Sequence, residues 1–283
     1  MRLDPAAATA GFRLVAHETL ASTNAEALAA AHRGERGPLW ITARRQTAGR
    51  GRRGTQWIST AGNLFATLLL SDPASARENA PELSFVAALA VHDAIVDRAA
   101  GLREKLALKW PNDVLCGGAK LAGILIEGEN FATASFTASV LTARLLPTRL
   151  AVAIGVGVNC MHHPAQTTYP ATDLAAEGAD AGAENLFAAL SAAMVRRLAQ
   201  WRRGAGFPSI RADWLDRAAG IGGEMRVRFP GRELFGRCEA LDERGRLLLR
   251  LADGSLQTIT AGEVFPVAAS ERPARSPHKG RVE

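Results

Sequence analysis

Gln46-Thr47-Ala48-Gly49-Arg50-Gly51-Arg52-Arg53-Gly54-Thr55-Gln56-Trp57 is the segment on which the choice of fold turns. Gly49, Gly51 and Gly54 formally satisfy G-x-G-x-x-G, and Asp72 follows at about the 20-residue distance of a dinucleotide-binding unit. In such a unit the pyrophosphate rests on a helix N-terminus, so the loop must open a helix. Residues 55–63 carry Trp57, Ser59, Thr60 and Gly62 with no apolar helical period, and the dinucleotide reading fails. What remains is three guanidinium groups on a glycine-rich backbone. Such a loop can fold over a polyphosphate and neutralise it from several directions, because arginine makes planar, bidentate contacts to phosphate.

Working outward, Thr23-x-x-Glu26 has capping-box spacing and predicts a helix through residue 31, stopped by Gly34 and Gly37-Pro38. A strand over 39–43 leads into the arginine loop, and 64–70 reads as a buried strand. Pro81 opens a helix whose apolar stripe is Leu83, Val86, Ala90 and Ala94. Leu106 and Leu108 alternate in a short strand, and Gly117-Gly118 joins two further strands as a hairpin. Residues 131–146 give no firm assignment. Val152, Ile154, Val156 and Val158 alternate as in a strand with one buried face. Leu186, Leu190, Met194, Leu198 and Trp201 recur at helical spacing, and Arg202 and Arg203 complement the dipole at that helix's end. A short helix around Ile210 and Trp214 closes at Gly220.

From 222 to 267 the texture changes to short apolar runs separated by Pro230-Gly231, residues 242–245 and Asp253-Gly254, the spacing of a small all-β barrel. Residues 268–283 read as a solvated tail. Helices and hairpins interleave without regular βαβ alternation. The prediction is an α+β domain over an antiparallel or mixed sheet, followed by a β-barrel.

Composition excludes several classes. With 47% apolar residues in 283, the chain can bury a core, and disorder is not its main state. The longest strongly apolar run, 64–70, is far short of the roughly 20 residues of a membrane span. The N-terminus lacks the apolar stretch of a secretory signal. Cys116, Cys160 and Cys238 are scattered without Cys-x-x-Cys spacing, and His162-His163 reads as polar loop. Reduced cytoplasmic thiols are expected, and no metal site. The net charge of +6 favours a polyanionic ligand without choosing among nucleotide, nucleic acid and acidic protein.

Two further constellations narrow the chemistry. Lys109-Trp110-Pro111-Asn112-Asp113 precedes Lys120-Leu121-Ala122-Gly123-Ile124-Leu125-Ile126-Glu127. A carboxylate, an amide and two lysines at one strand edge suit a site that handles phosphate and a metal ion, although Asn-Asp after proline is also ordinary turn chemistry. In Gly155-Val156-Gly157-Val158-Asn159, glycines inside an alternating strand mark close approach of a ligand or another backbone. Asn159, at the strand's end, offers a donor and an acceptor to a base edge.

Together with Ser22-Thr23-Asn24, and in this order over residues 14–268, these blocks resemble the biotin protein ligases, or biotin–[acetyl-CoA-carboxylase] ligases. The resemblance implies an α+β catalytic domain related to class II aminoacyl-tRNA synthetases and a small SH3-like C-terminal barrel. It divides the chain into an extension (1–13), a biotin/ATP-binding domain (14–220), the barrel (221–268) and a flexible basic tail (269–283). It implies ATP with Mg²⁺, biotin as substrate, a biotinyl-5′-AMP intermediate, and transfer to a lysine of the biotin carboxyl carrier protein of acetyl-CoA carboxylase.

By the same resemblance Ser22, Thr23, Asn24 and Gln46 bind the ureido end of biotin, and Arg50, Gly51 and Arg52 cover it. Lys120 bridges the biotin carboxylate and the α-phosphate. Arg52, Arg53, Trp57, Asn112, Lys120 and Asn159 contact ATP, Asp113 joins Lys120 and Arg52 in catalysis, and the closed loop shields the adenylate from water. Some relatives carry an N-terminal helix-turn-helix domain. Some 13 residues are too few for one, so DNA binding is not expected; a homodimer is compatible with the sequence. A lipoate or other acyl-adenylate ligase is the alternative on the same fold, and a nucleic-acid-binding module is the alternative of another class.

Overall fold

Leu64, Phe65, Ala66, Leu68 and Leu69 leave a strand with no face for water, and that strand lies in the middle of the main sheet. This holds in a computed structural model, which describes residues 1–74, 77–132, 148–167 and 169–267. Most of the unassigned stretch 131–146 and the expected tail at 269–283 lie outside the described residues. Two compact units are present, Met1–Arg217 and Ala218–Glu283.

The first unit holds β1 (Arg13–Leu20), β2 (Leu39–Gln46), β3 (Leu64–Ser71), β4 (Leu106–Lys109), β5 (Asp113–Cys116), β6 (Ala119–Ala132) and β7 (Thr148–Val158). They form one sheet in the order β1-β2-β3-β7-β6-β5-β4. Only β1 and β2 run parallel; the other neighbours are antiparallel. This is the mixed sheet of an α+β domain. Its helices are α1 (Pro5–Thr9), α2 (Thr23–His32), α3 (Leu83–Arg98), α4 (Ala183–Trp201) and α5 (Phe207–Leu215).

The pleat assigns the helices to opposite faces, since alternate residues of a strand point opposite ways. Leu39, Ile41 and Leu69 pack with Ala27, Ala30 and Ala31 of α2 and with Ala151 and Ala153 of β7. Trp40, from the other face of β2, meets Phe187 of α4 edge-on at 5.4 Å. Behind it Phe85 of α3 packs edge-on against Phe207 and Trp214 of α5, at 5.5 and 5.3 Å. Because α2 has only 10 residues, it covers one half of its face. The other half, along β6 and β7 toward Val158, is left to loops.

Several local expectations need correction. Ser22, not Thr23, caps α2: its backbone is extended and its hydroxyl accepts from the Ala25 N–H at 3.4 Å. Glu26, the supposed reciprocal partner, pairs with Arg33 at 2.6 Å. Pro81 lies in a 3₁₀ turn (Arg77–Glu82) ahead of α3, where its missing N–H removes no helical hydrogen bond. β2 runs on to Gln46 because its pairing with β1 continues to Leu20. Strand β1 was not foreseen, since none of its residues is fully buried and it carries no alternation to read.

The second unit contains β8 (Glu224–Phe229), β9 (Arg232–Leu241), β10 (Leu247–Leu251), β11 (Leu256–Ile259) and β12 (Glu263–Pro266). They form an antiparallel sheet in the order β11-β10-β9-β8-β12, consistent with a small SH3-like barrel. Met225, Val227, Cys238, Leu247, Leu249 and Val264 are its buried core.

A charged knot ties the helical layer together. Arg197 of α4 donates to Asp93 of α3 at 2.7 and 3.1 Å and also pairs with Asp213 of α5. Burial pushes the Asp93 carboxyl up, but the His92 ring 3.6 Å away and the hydrogen-bonded Arg197 guanidinium outweigh it and hold it at about 2, below its ordinary 3.8. A depressed folded-state pKa gives stability that is present above the unfolded value and lost as pH falls through the folded one. Asp93 is therefore expected to contribute ~2 kcal/mol at neutral pH, lost between about pH 4 and pH 2. Thermal midpoints across that range should fall less steeply in Arg197→Leu than in the parent; equal slopes would remove this role.

Candidate active site

Three glycines make the uncovered half of the sheet accessible. Gly123 of β6 pairs with Gly157 of β7, and Gly155 lies two residues away on the same face. A Cβ at Gly157 would stand 2.6 Å from the Trp57 ring, and one at Gly123 would stand 3.0 Å from it. A Cβ at Gly155 would stand 2.2 Å from Asn24 Oδ1. The indole of Trp57 and the amide of Asn24 therefore lie directly on backbone, where any larger residue would displace them.

Trp57 belongs to the arginine loop, which opens no helix. It is a small hairpin: Gly51 N–H donates to the Thr55 carbonyl at 2.7 Å and Trp57 N–H to the Gly49 carbonyl at 2.9 Å. Its tip is a 3₁₀ turn (Arg52–Gly54), with Arg53 and Gly54 at φ 55° and 76°. Arg50 Nη2 reaches Glu127 Oε2 at 3.2 Å, and Arg52 Nη1 donates to Asn112 Oδ1 at 3.2 Å. Asn112 in turn donates to the Ile124 carbonyl at 2.7 Å. The flap is thus latched to the sheet at its root, its side and its tip. Arg53 is exposed at the tip.

Beneath it, Lys120 Nζ lies 5.4 Å from the Trp57 ring centroid and 2.7 Å from Asp113 Oδ1. Lys109 Nζ sits 2.8 Å from the other oxygen, Oδ2, and 4.6 Å from the Tyr169 ring centroid. Burial pushes the Asp113 carboxyl up, yet the two ammonium groups prevail and hold it below the usual carboxylate range. Two cations on one carboxylate leave one positive charge uncompensated.

At the N-terminus of α2, Gln46 Oε1 accepts from the Thr23 N–H at 2.8 Å and from its hydroxyl at 3.1 Å. Gln46 Nε2 donates to Ser59 Oγ at 2.9 Å. Asn24 Nδ2 donates to Glu127 Oε2 at 2.8 Å, and the Thr67 hydroxyl stands 2.7 Å from Asn24 Oδ1. Both amides are oriented by their surroundings.

The structure thus gathers Arg50, Gly51, Arg52, Trp57, Asn112, Asp113 and Lys120 under and in the flap, with Ser22, Thr23, Asn24 and Gln46 beside its root. Asn159 differs. It is buried, and its Nδ2 donates to the Thr172 carbonyl at 3.0 Å, so it braces the segment that pairs with Lys120. Sequence reasoning gave no role to Glu127, Thr67, Ser59 or Asn63. Thr67 was detectable as a lone hydroxyl residue in a buried apolar strand. Asn63 accepts the N–H groups of Cys160, Met161 and His162 at 2.9, 2.9 and 3.1 Å, a cradle with no local signature.

Residues 19–142 match the biotin/lipoate A/B protein ligase family, and residues 220–265 match the biotin protein ligase C-terminal domain. The chain is 41% identical over 250 residues to the biotin–[acetyl-CoA-carboxylase] ligase of Paracoccus denitrificans, spanning 86% of this chain and 96% of that one. It belongs to the biotin protein ligase family. A second ligase of that description, from Mycobacterium tuberculosis, is 34% identical over 251 residues, 86% of this chain and 85% of that one. Among solved folds in the ligase family, the Aquifex aeolicus enzyme in complex with biotin and ATP superposes with a TM-score of 0.67 at 24% identity. That match covers 89% of this chain and 97% of the other. The Leishmania major ligase in complex with biotinyl-5-AMP gives 0.57 at 23% identity, covering 88% and 99%.

Gly157→Ala should lift the Trp57 ring and loosen the flap. A loss of ~1–2 kcal/mol in closure is expected, read as a roughly tenfold rise in trypsin cutting after Arg52 and Arg53. Unchanged cutting would show that the ring does not anchor the hairpin.

Proposed function

We propose that this chain activates biotin with ATP and transfers it to a lysine of the biotin carboxyl carrier protein of acetyl-CoA carboxylase. The observation that carries the reading is the uncompensated positive charge of Lys109, Lys120 and Asp113, facing a flap with three further guanidinium groups. Related ligases named for this reaction support it.

In the first step a carboxylate oxygen of biotin attacks the α-phosphorus of ATP. The new O–P bond forms as the bond to pyrophosphate breaks. Two anions must approach one another and a third must leave, so fixed positive charge in a desolvated site is the main requirement. Lys120 supplies it between the carboxylate and the α-phosphate, with Arg52 and Arg53 over the departing phosphates. In the second step the acceptor amine attacks the acyl carbon, the C–O bond to AMP breaks, and the amine's proton leaves to solvent. Asp113, ionised at neutral pH, serves to aim Lys120 rather than to take that proton.

In this reading Ser22, Thr23, Asn24 and Gln46 present donors and acceptors to the ureido group, with Arg50 and Gly51 above it. Trp57 and Asn112 line the ATP side, and Asn159 acts on the adenine through the Thr172 segment it braces. Mg²⁺ enters with ATP as part of that substrate. Among the described residues no group of three or more His, Cys, Asp or Glu side chains is placed to hold a metal. We place the reaction in the cytoplasm: all three cysteines are free and buried. Among the described residues no helix is long and apolar enough to cross a membrane.

Biotin and ATP should raise the thermal midpoint while lipoate leaves it unchanged, because only a ligand of the native state stabilises it by mass action. A lipoate shift without a biotin shift would favour the lipoate alternative. Lys120→Gln is expected to slow biotin-dependent pyrophosphate release by roughly 10²–10³-fold. Arg52→Gly should retain measurable adenylation but release free biotinyl-5′-AMP, detected by filtration; retention as tight as the parent's would refute the shielding role of the flap.

A further inference from the structure

The tripeptide Arg-Arg-Gly occurs twice in the chain, at 52–54 and at 202–204. Both copies fold into the same 3₁₀ turn, with the second arginine left-handed: Arg53 at φ 55°, ψ 30° and Arg203 at φ 59°, ψ 29°. The following glycines have φ 76° and 109°. The first copy is the flap tip. The second, at the end of α4, is more strained, because Arg202 is left-handed as well, at φ 48° and ψ 47°. Two consecutive residues with side chains thus hold a conformation that glycine adopts freely. Ending a helix requires no such pair, since one cation complements the dipole and one left-handed glycine completes the cap.

Both arginines border a cleft of about 290 Å³, to which Arg36 also contributes. Its remaining lining is largely apolar, chiefly Leu70, Pro73, Leu198 and Trp201. Ser71, also in the lining, has a buried hydroxyl without a hydrogen-bond partner. Arg203 Nη2 donates to the Ala74 carbonyl at 3.3 Å, and among the described residues no carboxylate pairs with Arg36, Arg202 or Arg203. The cleft adjoins Pro38 and Ser71, at the ends of β2 and β3 opposite to Gln46 and Leu64. Seven residues of strand separate the two ends by roughly 23 Å, so this is not an extension of the flap site.

We propose that the cleft is a second binding site, for a small organic anion with an apolar body. Its carboxylate or phosphate head would sit between the guanidinium groups of Arg202 and Arg203, which suit planar, bidentate contact. Its body covers Leu70, Leu198 and Trp201. The volume is at the small end of the range for ligand pockets, roughly 300 Å³, and the apolar lining favours the chain of a six- to eight-carbon acid over the polar ribose and base of a nucleotide.

Hexanoate and inorganic phosphate, titrated separately into the full chain, test this through the thermal midpoint and tryptophan fluorescence. Hexanoate should give a saturable shift, and phosphate should bind at least about tenfold more weakly, because it leaves the apolar floor uncovered. The double variant R202G/R203G keeps the backbone conformation, so its midpoint without ligand should not fall below the parent's. It should bind hexanoate at least about tenfold more weakly. Arg36→Gln, on a separate segment, should also weaken it, and Arg52→Gly, in the flap, should not. No saturable hexanoate shift in the parent, or one undiminished in R202G/R203G, overturns the proposal, and one undiminished in Arg36→Gln removes Arg36 from the site. A shift lost in Arg52→Gly alone places the probe at the flap and overturns it equally. Phosphate binding as tightly as hexanoate refutes the apolar half of the site.

Discussion

The contact of the Trp57 indole with bare backbone at Gly123 and Gly157 is the constraint on which the rest depends. A sheet surface normally carries a side chain at every second residue, and any such side chain here would hold the flap away from Lys120. With hydrogen in place of a side chain at three positions, an aromatic ring and an amide reach the strands themselves. The ring then becomes the floor on which the flap rests and a face toward which the Lys120 ammonium is drawn. Without that floor, the arginines of the hairpin would have no fixed height above the lysines.

The electrostatics follow from the same arrangement. Asp113 lies between two lysines contributed by different strands, β4 and β6, so its charge orders both. The pair is unequal: Lys109 is nearly buried, with 11% of its side chain exposed, while Lys120 keeps 29%. Lys109 is therefore the more enclosed of the two ammonium groups, and Lys120 the more open. Glu127 has a parallel function on the other side, holding Asn24 and Arg50 with a single oxygen. It couples the helix end to the flap, so the two walls of the site cannot shift independently.

Much of this was legible in the sequence, for identifiable reasons. The Gly117-Gly118 hairpin was readable because its turn needs glycine, and the α4 stripe because it marks one buried face. The alternating valines of β7 marked a strand, but not one with a single buried face, since Ala151 and Ala153 are buried on the side of α2 as fully as Val152 and Ile154 are on the other. The failed G-x-G-x-x-G was readable because residues 55–63 lack a helical period. The fate of the flap as a hairpin was not, since its pairing, Arg50 with Gln56, uses backbone alone. The N-cap was misplaced by one residue because Ser22 and Thr23 are chemically equivalent candidates, and only the demand of Gln46 for the Thr23 hydroxyl separates them. The brace at Asn159 and the cradle at Asn63 join segments distant in the chain, and no local pattern announces such a partnership.

The single parallel pair has a consequence for how this chain tolerates change in length. Because β1 and β2 run the same way, both finish at the same rim, and the turn at Ser22 arrives beside Gln46. The connection that returns the chain, residues 33–38, is at the far rim. Insertions or deletions at its exposed residues 33 and 34 meet solvent and alter nothing near the flap, whereas Arg36, Gly37 and Pro38 line the cleft beside Ser71. A deletion of one residue inside β2 is a different event: it turns Gln46 to the opposite face of the sheet, away from Thr23 and Ser59, while leaving every other strand in place. Length variation among descendants of this chain should therefore accumulate at one rim and be purged from the strand that ends at the other.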